Sequence, residues 1–436
     1  MTYSLENARS LLGVLAILVI AWALSEDKKR FPWAMTLGAL CVQAGLVALM
    51  FAFPQARPIV AGISSAIDGL AAATQQGTSF VFSYLSGLPD AQPYQMKPGP
   101  DGSPGAPPFI FAFQVLPLIL VISALSAVLW HWGVLKIVIR AFGFVFQKSM
   151  GLGGASATAT AANIFMGMVE SPIVIRGYLD KLTRSEIFMM MVVGLGTVAG
   201  STMVAYALML APTLPNAGAH VLVASIISAP AAVLLARIII PEKPGQGGRV
   251  ADYTSSLKYE STMDAITRGT QDGLSVILNI AATLLVFVAL VAIVNSILSA
   301  VPPVAGAPLT LERIFGFAFA PVAFAIGVPW DEAQKAGDLL GAKLFLTEFV
   351  AYLKLGAIPA GEFSERSRMI MTYALCGFAN VGSVGIMVSG MTLLFPPEKR
   401  SEILDLAWKS LAPGFMTTLM TGAIVAAMPA AMFAGP

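Results

Sequence analysis

The chain has 436 residues, of which 57% are hydrophobic and 11% are charged, and its formal net charge is +2. Its mean hydropathy is +0.78. A water-soluble protein of this length would carry far more charge on its surface, so the composition excludes an ordinary soluble domain. The small net charge also leaves no basic excess for binding nucleic acid. Nearly uncharged windows of about 20 residues recur along the chain and match the thickness of a bilayer core, which predicts an all-α polytopic membrane protein.

Eight predicted membrane spans follow one another along the chain. They cover residues 8–25, 32–54, 109–133, 186–211, 219–240, 274–300, 371–395 and 403–430. Residues 54–76 have the mixed faces of an interfacial helix, and residues 87–108 contain too many Pro and Gly residues for a helix or strand. A second interfacial helix is predicted at 134–148, and a soluble loop at 241–262.

Two further apolar segments are predicted to enter the membrane without crossing it. Residues 151–180 are interrupted by Gly and Pro and are flanked by basic residues, so this segment should enter and leave as a re-entrant hairpin on the cytoplasmic side. Residues 331–361, after an apolar segment at 311–328, are predicted to form a second hairpin that enters from outside. Most of the 26 Lys and Arg residues then lie in cytoplasmic segments, which places both termini on the periplasmic side of a bacterial inner membrane.

Each half of the chain shows the same series of features, a hairpin with an acid and then a span interrupted by small polar residues. Glu170, in "AANIFMGMVESPIV", is followed by "VGLGTVAGSTMVAY". Glu348, in "LFLTEFVAY", is followed by "LCGFANVGSVGI". This series is typical of an inverted repeat, in which unwound helix segments from the two halves meet at the bilayer midplane around a solute.

The same order predicts four structural parts. Residues 1–133 would supply scaffold spans and a periplasmic loop, and residues 134–240 the first half of a transport domain, with an interfacial helix, the first hairpin and two spans. Residues 241–305 would form a cytoplasmic loop and a scaffold span. Residues 306–436 would form the second half of the transport domain, with the second hairpin and two spans.

The polar residues of these segments suggest a coupled transport site. A charged side chain at the bilayer centre costs about 2.5 to 3.5 kcal/mol on insertion scales, which favours a function for both acids. The structural alternatives are that an acid caps a hairpin helix or pairs with Lys343 or Lys354, and that Asn380 and Ser383 cap a broken helix. Backbone carbonyls with Asn and Ser oxygens suit a cation, whereas acids and amides suit a hydroxyl-rich solute. A site for both predicts a symporter.

Motifs for catalysis are not found in the sequence. The glycine-rich stretch "GLGGASATAT" lacks the GK[ST] ending of a phosphate loop, and small residues that let helices approach closely explain it better. No HExxH motif, nucleophile elbow or Ser/His/Asp set appears. The prediction is that this protein is not an enzyme.

Three blocks of the sequence, "NIFMGMVESP", "LFLTEFVAY" and "ALCGFANVGSVGI", resemble the concentrative nucleoside transporter family. The resemblance runs from about residue 109 to the C-terminus, and the order and spacing of the blocks are specific. It implies eight spans, two opposed hairpins, a homotrimer, and a transport domain that moves against a scaffold in an elevator mechanism.

The resemblance also implies roles for single residues. Matched by position, Glu170 is the acid of the first hairpin, and Glu348 is the acid that binds ribose hydroxyls. Asn380 and Ser383 lie where the family contacts the ribose, and Phe378 where an aromatic residue lines the site. The family's sodium site, made of Asn and Ser side chains and backbone carbonyls, corresponds to Asn163, Met166, Ser201 and Thr202.

The two positions before the first acid depart from the pattern of many family members. These have Gln and Thr, which hydrogen-bond the base, but here the residues are Met168 and Val169. Neither side chain donates or strongly accepts a hydrogen bond, so recognition of a pyrimidine edge is weakened. Met at the first position resembles the purine-preferring branch, and its thioether suits a larger ring. Val169 matches no known pattern.

The resulting hypothesis is a sodium-driven importer of nucleosides that favours purine nucleosides. The nearest alternative is proton coupling with Glu170 or Glu348 as the carrier, because a buried carboxyl can titrate near neutral pH. The alternative from another class is a non-transporting membrane receptor or scaffold with the same fold.

Overall fold

The computed structural model describes residues 5–88, 92, 107–243, 257–304, 306–359, 361–429 and 432–433. Within these ranges the regular structure is helical, apart from one isolated β-bridge between Val304 and Ala307. The all-helical prediction is therefore confirmed. Most of the predicted loop at 87–108, and much of the loop at 241–262, lie outside the described residues.

The first third of the chain forms six helices. They are α1 (Leu5–Ala23), α2 (Trp33–Phe51), α3 (Arg57–Phe82), α4 (Phe111–Gln114), α5 (Leu116–His131) and α6 (Val134–Met150). Helix α3 extends six residues beyond the predicted interfacial segment and ends before Ser83, whose positive φ of 51° is incompatible with continuing the helix. Helix α6 matches the second predicted interfacial helix.

Twelve further helices follow, of which only α8 is as short as one turn. They are α7 (Gly154–Met166), α8 (Ser171–Val174), α9 (Arg184–Gly196), α10 (Gly200–Leu210), α11 (Ala217–Ile239), α12 (Thr262–Leu298), α13 (Leu311–Ala325), α14 (Trp330–Phe345), α15 (Glu348–Ala357), α16 (Glu365–Leu375), α17 (Val381–Leu394) and α18 (Arg400–Ala427).

Seven segments of the described chain are long and apolar enough to cross a membrane. They are Glu6–Ala23, Trp33–Phe51, Phe111–His131, Arg184–Leu210, Ala217–Ile239, Thr262–Leu298 and Pro397–Ala427. They correspond to seven of the eight predicted spans. The remaining one, 371–395, consists of α16 and α17 on either side of a break, so neither half has the length of a span.

Helix α12 is longer than the predicted span at 274–300. It begins at Thr262, where the Ser261 hydroxyl accepts a hydrogen bond from the backbone N–H of Asp264 over 3.1 Å. Most residues in its first three turns are polar. A search for apolar stretches does not find such an extension, because a helix can form without a run of apolar residues.

Both predicted hairpins consist of two helices with a break between them. In the first, α7 ends at Met166 and α8 begins at Ser171, and Gly167 turns the chain with a φ of +95°. In the second, α14 ends at Phe345, and the Thr347 hydroxyl caps α15 by accepting from the N–H of Val350. The two acids lie at corresponding places, Glu170 just before α8 and Glu348 as the first residue of α15.

The two interrupted spans touch each other at their breaks. Helices α9 and α10 are separated by residues 197–199, and α16 and α17 by residues 376–380. The backbone N–H of Phe378 donates to the carbonyl of Thr197 over 3.2 Å. A Cβ atom on Gly377 would lie 3.0 Å from the carbonyl oxygens of Leu195 and Gly196, so only glycine permits this approach. The predicted pairing of the two repeats is present in the fold.

Helices α5 and α12 form a second closely packed unit. A Cβ atom on Gly269 would lie 2.8 Å from Ala124 Cα and from Ala127 Cβ, and one on Gly273 would lie 3.0 Å from Leu120 Cα. Small residues four apart allow such contact between membrane helices. In the most apolar 18-residue stretch of α12 no residue is buried. In the corresponding stretches of α9–α10, α11 and α18, 89% of the residues are buried. Helix α12 thus lies at the edge of the bundle.

Helix α1 is attached to the bundle at both ends. The Asn7 amide donates to the carbonyls of Ala426 and Met428 at the end of α18, over 2.9 and 2.6 Å. Beyond its other end, Glu26 accepts two hydrogen bonds from Arg184, over 2.5 and 3.1 Å. These bonds lower the pKa of Glu26 and so keep it charged.

Candidate functional site

A cavity lies where the two hairpins, the two broken helices and α12 meet. It is lined by all seven residues predicted to bind solute: Met168, Val169, Glu170, Glu348, Phe378, Asn380 and Ser383. These residues come from segments far apart in the sequence, and the fold brings them to one place. The three polar side chains on which the sequence hypothesis depends, Glu170, Glu348 and Asn380, share this cavity.

The carboxylate of Glu348 is the most strongly held polar group of the cavity. The residue is only 3% exposed. Its Oε1 accepts a hydrogen bond from the Tyr206 hydroxyl, and its Oε2 accepts one from Asn380 Nδ2, each over 2.8 Å. Because both oxygens are bonded and each retains further lone pairs, the carboxylate is oriented toward the cavity and can accept donors from a solute.

The lysine-pairing alternative for Glu348 does not match these contacts, whereas its place in the first turn of α15 is compatible with the capping alternative. The ammonium of Lys354 donates to Asp338, over 3.3 and 3.4 Å. The ammonium of Lys343 donates to the Ala374 carbonyl and the Thr418 hydroxyl. Within the part of the chain that the structure describes, neither lysine forms a salt bridge with Glu348.

Asn380 both caps a helix and belongs to the polar cluster. Its Oδ1 accepts a hydrogen bond from the backbone N–H of Ser383 over 2.7 Å, which caps α17, while its Nδ2 donates to Glu348. The cap fixes the amide so that its donor side faces the acid. The capping interpretation of Asn380 is therefore right, and it is compatible with a place in the site.

Glu170 has a different environment from Glu348. It is partly exposed and lies between the main cavity and a smaller one, which Ser201 also borders. The smaller cavity is lined further by Ser123 of α5 and by Tyr259 and Asp272. Glu170, on hairpin 1 (residues 154–174), thus lines both cavities.

The residues predicted to bind a cation lie at the junction of hairpin 1 and α10. Asn163 is 2% exposed, and among the described residues its Oδ1 has no hydrogen-bond partner. Met166 is the last residue of α7, where carbonyls have no partner within the helix. Ser201 and Thr202 lie in the first turn of α10, and Thr202 Oγ1 donates to the Ala199 carbonyl over 2.9 Å.

This donor set suits a sodium ion. A buried amide oxygen without a donor costs about 1 to 3 kcal/mol, and a cation would satisfy it. Neutral oxygens from amide, hydroxyl and carbonyl groups are the ligands that hard cations prefer. In the described residues no group of three or more His, Cys, Asp or Glu residues could hold a transition metal.

Comparison with known proteins identifies the family. Models of the Na+ dependent nucleoside transporter N-terminus and C-terminus match residues 12–85 and 220–426, and a nucleoside recognition model matches residues 112–213. Nucleoside permease NupC of Helicobacter pylori is 34% identical over 420 residues, which cover 95% of this chain and 96% of the permease. The chain belongs to the concentrative nucleoside transporter family.

Two further relatives agree with this assignment. An uncharacterized transporter of Bacillus subtilis, YutK, is 38% identical over 421 residues, 95% of this chain and 97% of YutK. The structure of CNTnw in an inward-facing substrate-bound state superposes with a TM-score of 0.85 at 34% identity, over 97% of this chain and 98% of that one. The protein is thus a multi-pass membrane transporter of a nucleoside-transporting family, whose model is named for sodium dependence, and the predicted family is confirmed.

Sequence analysis of this transporter missed Tyr206. Besides its hydrogen bond to Glu348, the Tyr206 ring stacks on Tyr352 with a centroid distance of 4.5 Å and meets Phe349 edge-on at 4.8 Å. Tyr206 lies four residues after Thr202, on the same face of α10, and this spacing was the available signal. Its partner lies 142 residues away in the sequence, which no local pattern reveals.

The transporter's helix α12 also contributes side chains that the sequence analysis did not select. Asn279 and Thr283 line the main cavity and are four residues apart, on one face of α12. Both are polar residues in an apolar span, which was a usable sign. Helix α12 therefore forms one wall of the cavity and places two hydrogen-bonding side chains there.

Proposed function

We propose that this transporter imports nucleosides together with sodium and favours purine nucleosides. The observation that carries the proposal is the cluster of Glu348, Tyr206 and Asn380, held in a cavity that both hairpins and both broken helices border. The unpartnered Asn163 oxygen on hairpin 1 supports a cation in the same assembly.

The cavity's chemistry suits the two parts of a nucleoside. A ribose offers neighbouring hydroxyl donors, and the oriented carboxylate of Glu348 can accept them in charge-assisted hydrogen bonds. The Ser383 hydroxyl, at the start of α17, supplies a donor and an acceptor. Phe378 offers an apolar face for the flat base. Met168 offers a polarisable thioether, which adapts to the larger purine ring.

Coupling between sodium and solute follows from the shared first hairpin. Asn163 and Met166 are on α7, and Met168 and Glu170 are in the break that follows it. When Asn163 and the start of α10 hold a cation, this break is fixed in place, so the nucleoside meets an ordered site. Each charge that moves inward gains about 2.3 kcal/mol per 100 mV of membrane potential, which can drive uptake.

Movement by an elevator mechanism is part of the proposal. The closely packed pair α5 and α12, from the predicted scaffold segments 1–133 and 241–305, would stay fixed, whereas α1, which is bonded to the end of α18 and to Arg184, would move with the hairpins. The hairpins and broken helices of residues 134–240 and 306–436 would carry the cavity along α12. The exposed apolar surface of α12, with Leu285 72% and Ile297 66% exposed, suits lipid or neighbouring subunits of a homotrimer. We place the trimer in a bacterial inner membrane with both termini periplasmic.

Uptake into proteoliposomes tests the coupling. Labelled adenosine should accumulate inside when an inward sodium gradient is imposed, and replacing sodium with choline should reduce the initial rate at least tenfold. Equal uptake in sodium and choline, with a proton gradient able to substitute, would assign the coupling to protons. Solute binding without any flux would instead support a receptor.

Base selectivity is tested by changing the two residues before Glu170. Replacing Met168 with Gln and Val169 with Thr adds hydrogen-bonding groups for a pyrimidine edge, so the uridine to adenosine ratio of kcat/KM should rise about fivefold or more, given about 1 kcal/mol for a net hydrogen bond. Val169 also packs closely against Gly390, since a Cβ atom added to Gly390 would lie only 2.9 Å from Val169 Cγ1.

The packing of Val169 provides the control for this experiment. Thr has nearly the shape of Val, so Val169→Thr alone keeps the contact with Gly390, and its melting temperature measures what the added hydroxyl costs in stability. An unchanged selectivity in the folded double variant would show that these two side chains do not face the base.

A further inference from the structure

Lys343, on the first helix of hairpin 2 (residues 330–357), is a buried lysine that forms no salt bridge with a carboxylate among the described residues, although its charge acts on Glu348. It is 0% exposed. None of the ion pairs within the described residues includes it, whereas Lys354 on the same hairpin pairs with Asp338. A cation in such a place is costly unless its donors are satisfied. The contacts that satisfy the ammonium therefore indicate what the residue does.

The Lys343 ammonium closes the open end of a broken helix. It donates to the carbonyl of Ala374 over 2.9 Å and to the hydroxyl of Thr418 on α18, and it lies 5.3 Å from the centre of the Phe415 ring. Ala374 is in the last turn of α16, where carbonyls have no partner within the helix and the helix dipole favours a positive charge. Within the bilayer core these carbonyls cannot accept hydrogen bonds from water.

Hairpin 2 therefore holds the break between α16 and α17 at both ends. On one side Lys343 binds the end of α16, and on the other Glu348 binds Asn380, the N-cap residue of α17. The two hairpin residues are five positions apart, with the break of the hairpin between them. The residues in the α16–α17 break include Phe378 and Asn380, which line the cavity.

We infer that Lys343 is a positioning residue for the nucleoside site: by capping α16 it fixes the break so that Phe378 and Asn380 take their places beside Glu348. This role rests on the proposed function, because it assumes that the nucleoside binds in this cavity. Lys343 does not line the cavity and is not expected to touch the solute. The proposed route to the solute is the backbone of residues 375–380. Thr418→Val, which keeps the charge of Lys343, separates this route from a direct effect of that charge on Glu348.

The test is equilibrium binding of labelled adenosine to purified, monodisperse protein in saturating sodium. Lys343→Met keeps the length of the side chain but removes its donors and charge, and it should raise the Kd at least tenfold. The matched control is Lys335→Met on the same helix, since Lys335 is an exposed partner of Glu362. That variant should bind within twofold of the wild type.

A purely structural role would give a different result from positioning. A lysine that only stabilises the fold would, when replaced, lower the melting temperature and the number of binding sites, while the surviving sites would keep the wild-type Kd. That outcome overturns the inference about Lys343 and leaves the proposed function intact. Absence of nucleoside binding by the wild type would overturn both.

A second variant decides the question if Lys343→Met does not fold. Thr418→Val keeps the shape of the side chain and the lysine itself but removes one of the two acceptors of the ammonium. It should raise the Kd for adenosine about threefold or more. A Kd within twofold of the wild type in this variant would contradict a positioning role.

Discussion

Replacing Glu348 with Gln is expected to abolish concentrative nucleoside uptake while the protein remains folded. The carboxylate accepts hydrogen bonds from both Tyr206 and Asn380. A glutamine amide keeps only one accepting oxygen and no charge, so the charge-assisted bonds to solute hydroxyls are lost. We expect kcat/KM for uptake to fall about a hundredfold or more, equal to about 2.7 kcal/mol. Initial uptake rates in proteoliposomes measure this loss.

The folded state should survive this change because the Tyr206 hydroxyl can also accept a hydrogen bond from the new amide. Tyr206→Phe removes one donor but keeps the ring that stacks on Tyr352, so a smaller loss is expected, about tenfold. Glu362→Gln is the matched control, since Glu362 follows the second hairpin in the sequence, is exposed, and pairs with Lys335 on the surface. Full uptake by Glu348→Gln would show that the solute site lies elsewhere.

Replacing Asn163 with Leu is expected to remove the response of uptake to sodium. The Asn163 oxygen is buried and unpartnered in the described chain, so the substitution removes the proposed cation ligand without breaking a hydrogen bond of that oxygen. We expect the stimulation of the initial rate by sodium over choline to fall at least tenfold. Nucleoside binding measured by thermal shift should likewise no longer depend on sodium.

Gln43 offers a control of the same chemical kind. It is also a fully buried amide whose oxygen lacks a partner among the described residues, but it lies on α2, away from the hairpins. Gln43→Leu should keep the sodium response of the wild type. If Asn163→Leu keeps the response as well, the sodium site must be formed by other residues.

Much of the transporter's architecture was predictable because the hydropathy of a membrane span can be read from that segment alone. Each membrane span must satisfy its backbone within itself and present apolar side chains to lipid, so seven spans appear in the sequence as uncharged windows. The acids at 170 and 348 and the amides at 163 and 380 were predictable for the opposite reason, since a polar group is conspicuous on an apolar background. The helix breaks were marked by glycines and small polar residues, such as Gly377 and Ser201.

Other features depend on contacts between distant segments. The sequence does not show that Tyr206 donates to Glu348 or that Asn279 lines the cavity. It also does not show that Lys343 donates to the end of α16. Asn380 allowed two interpretations, a cap or a site residue. Only its two hydrogen bonds show that its amide oxygen caps α17 while its amide nitrogen donates to the acid.

The sequence by itself determined that the protein lies in a lipid bilayer and in which order its spans and hairpins follow one another. It also determined where charged residues and helix breaks interrupt them, because these are properties of single segments in a bilayer. Only the tertiary structure decided which polar groups satisfy one another. A buried donor takes the acceptor that packing brings within about 3 Å. In this fold that acceptor can be 142 residues away, as for Tyr206 and Glu348.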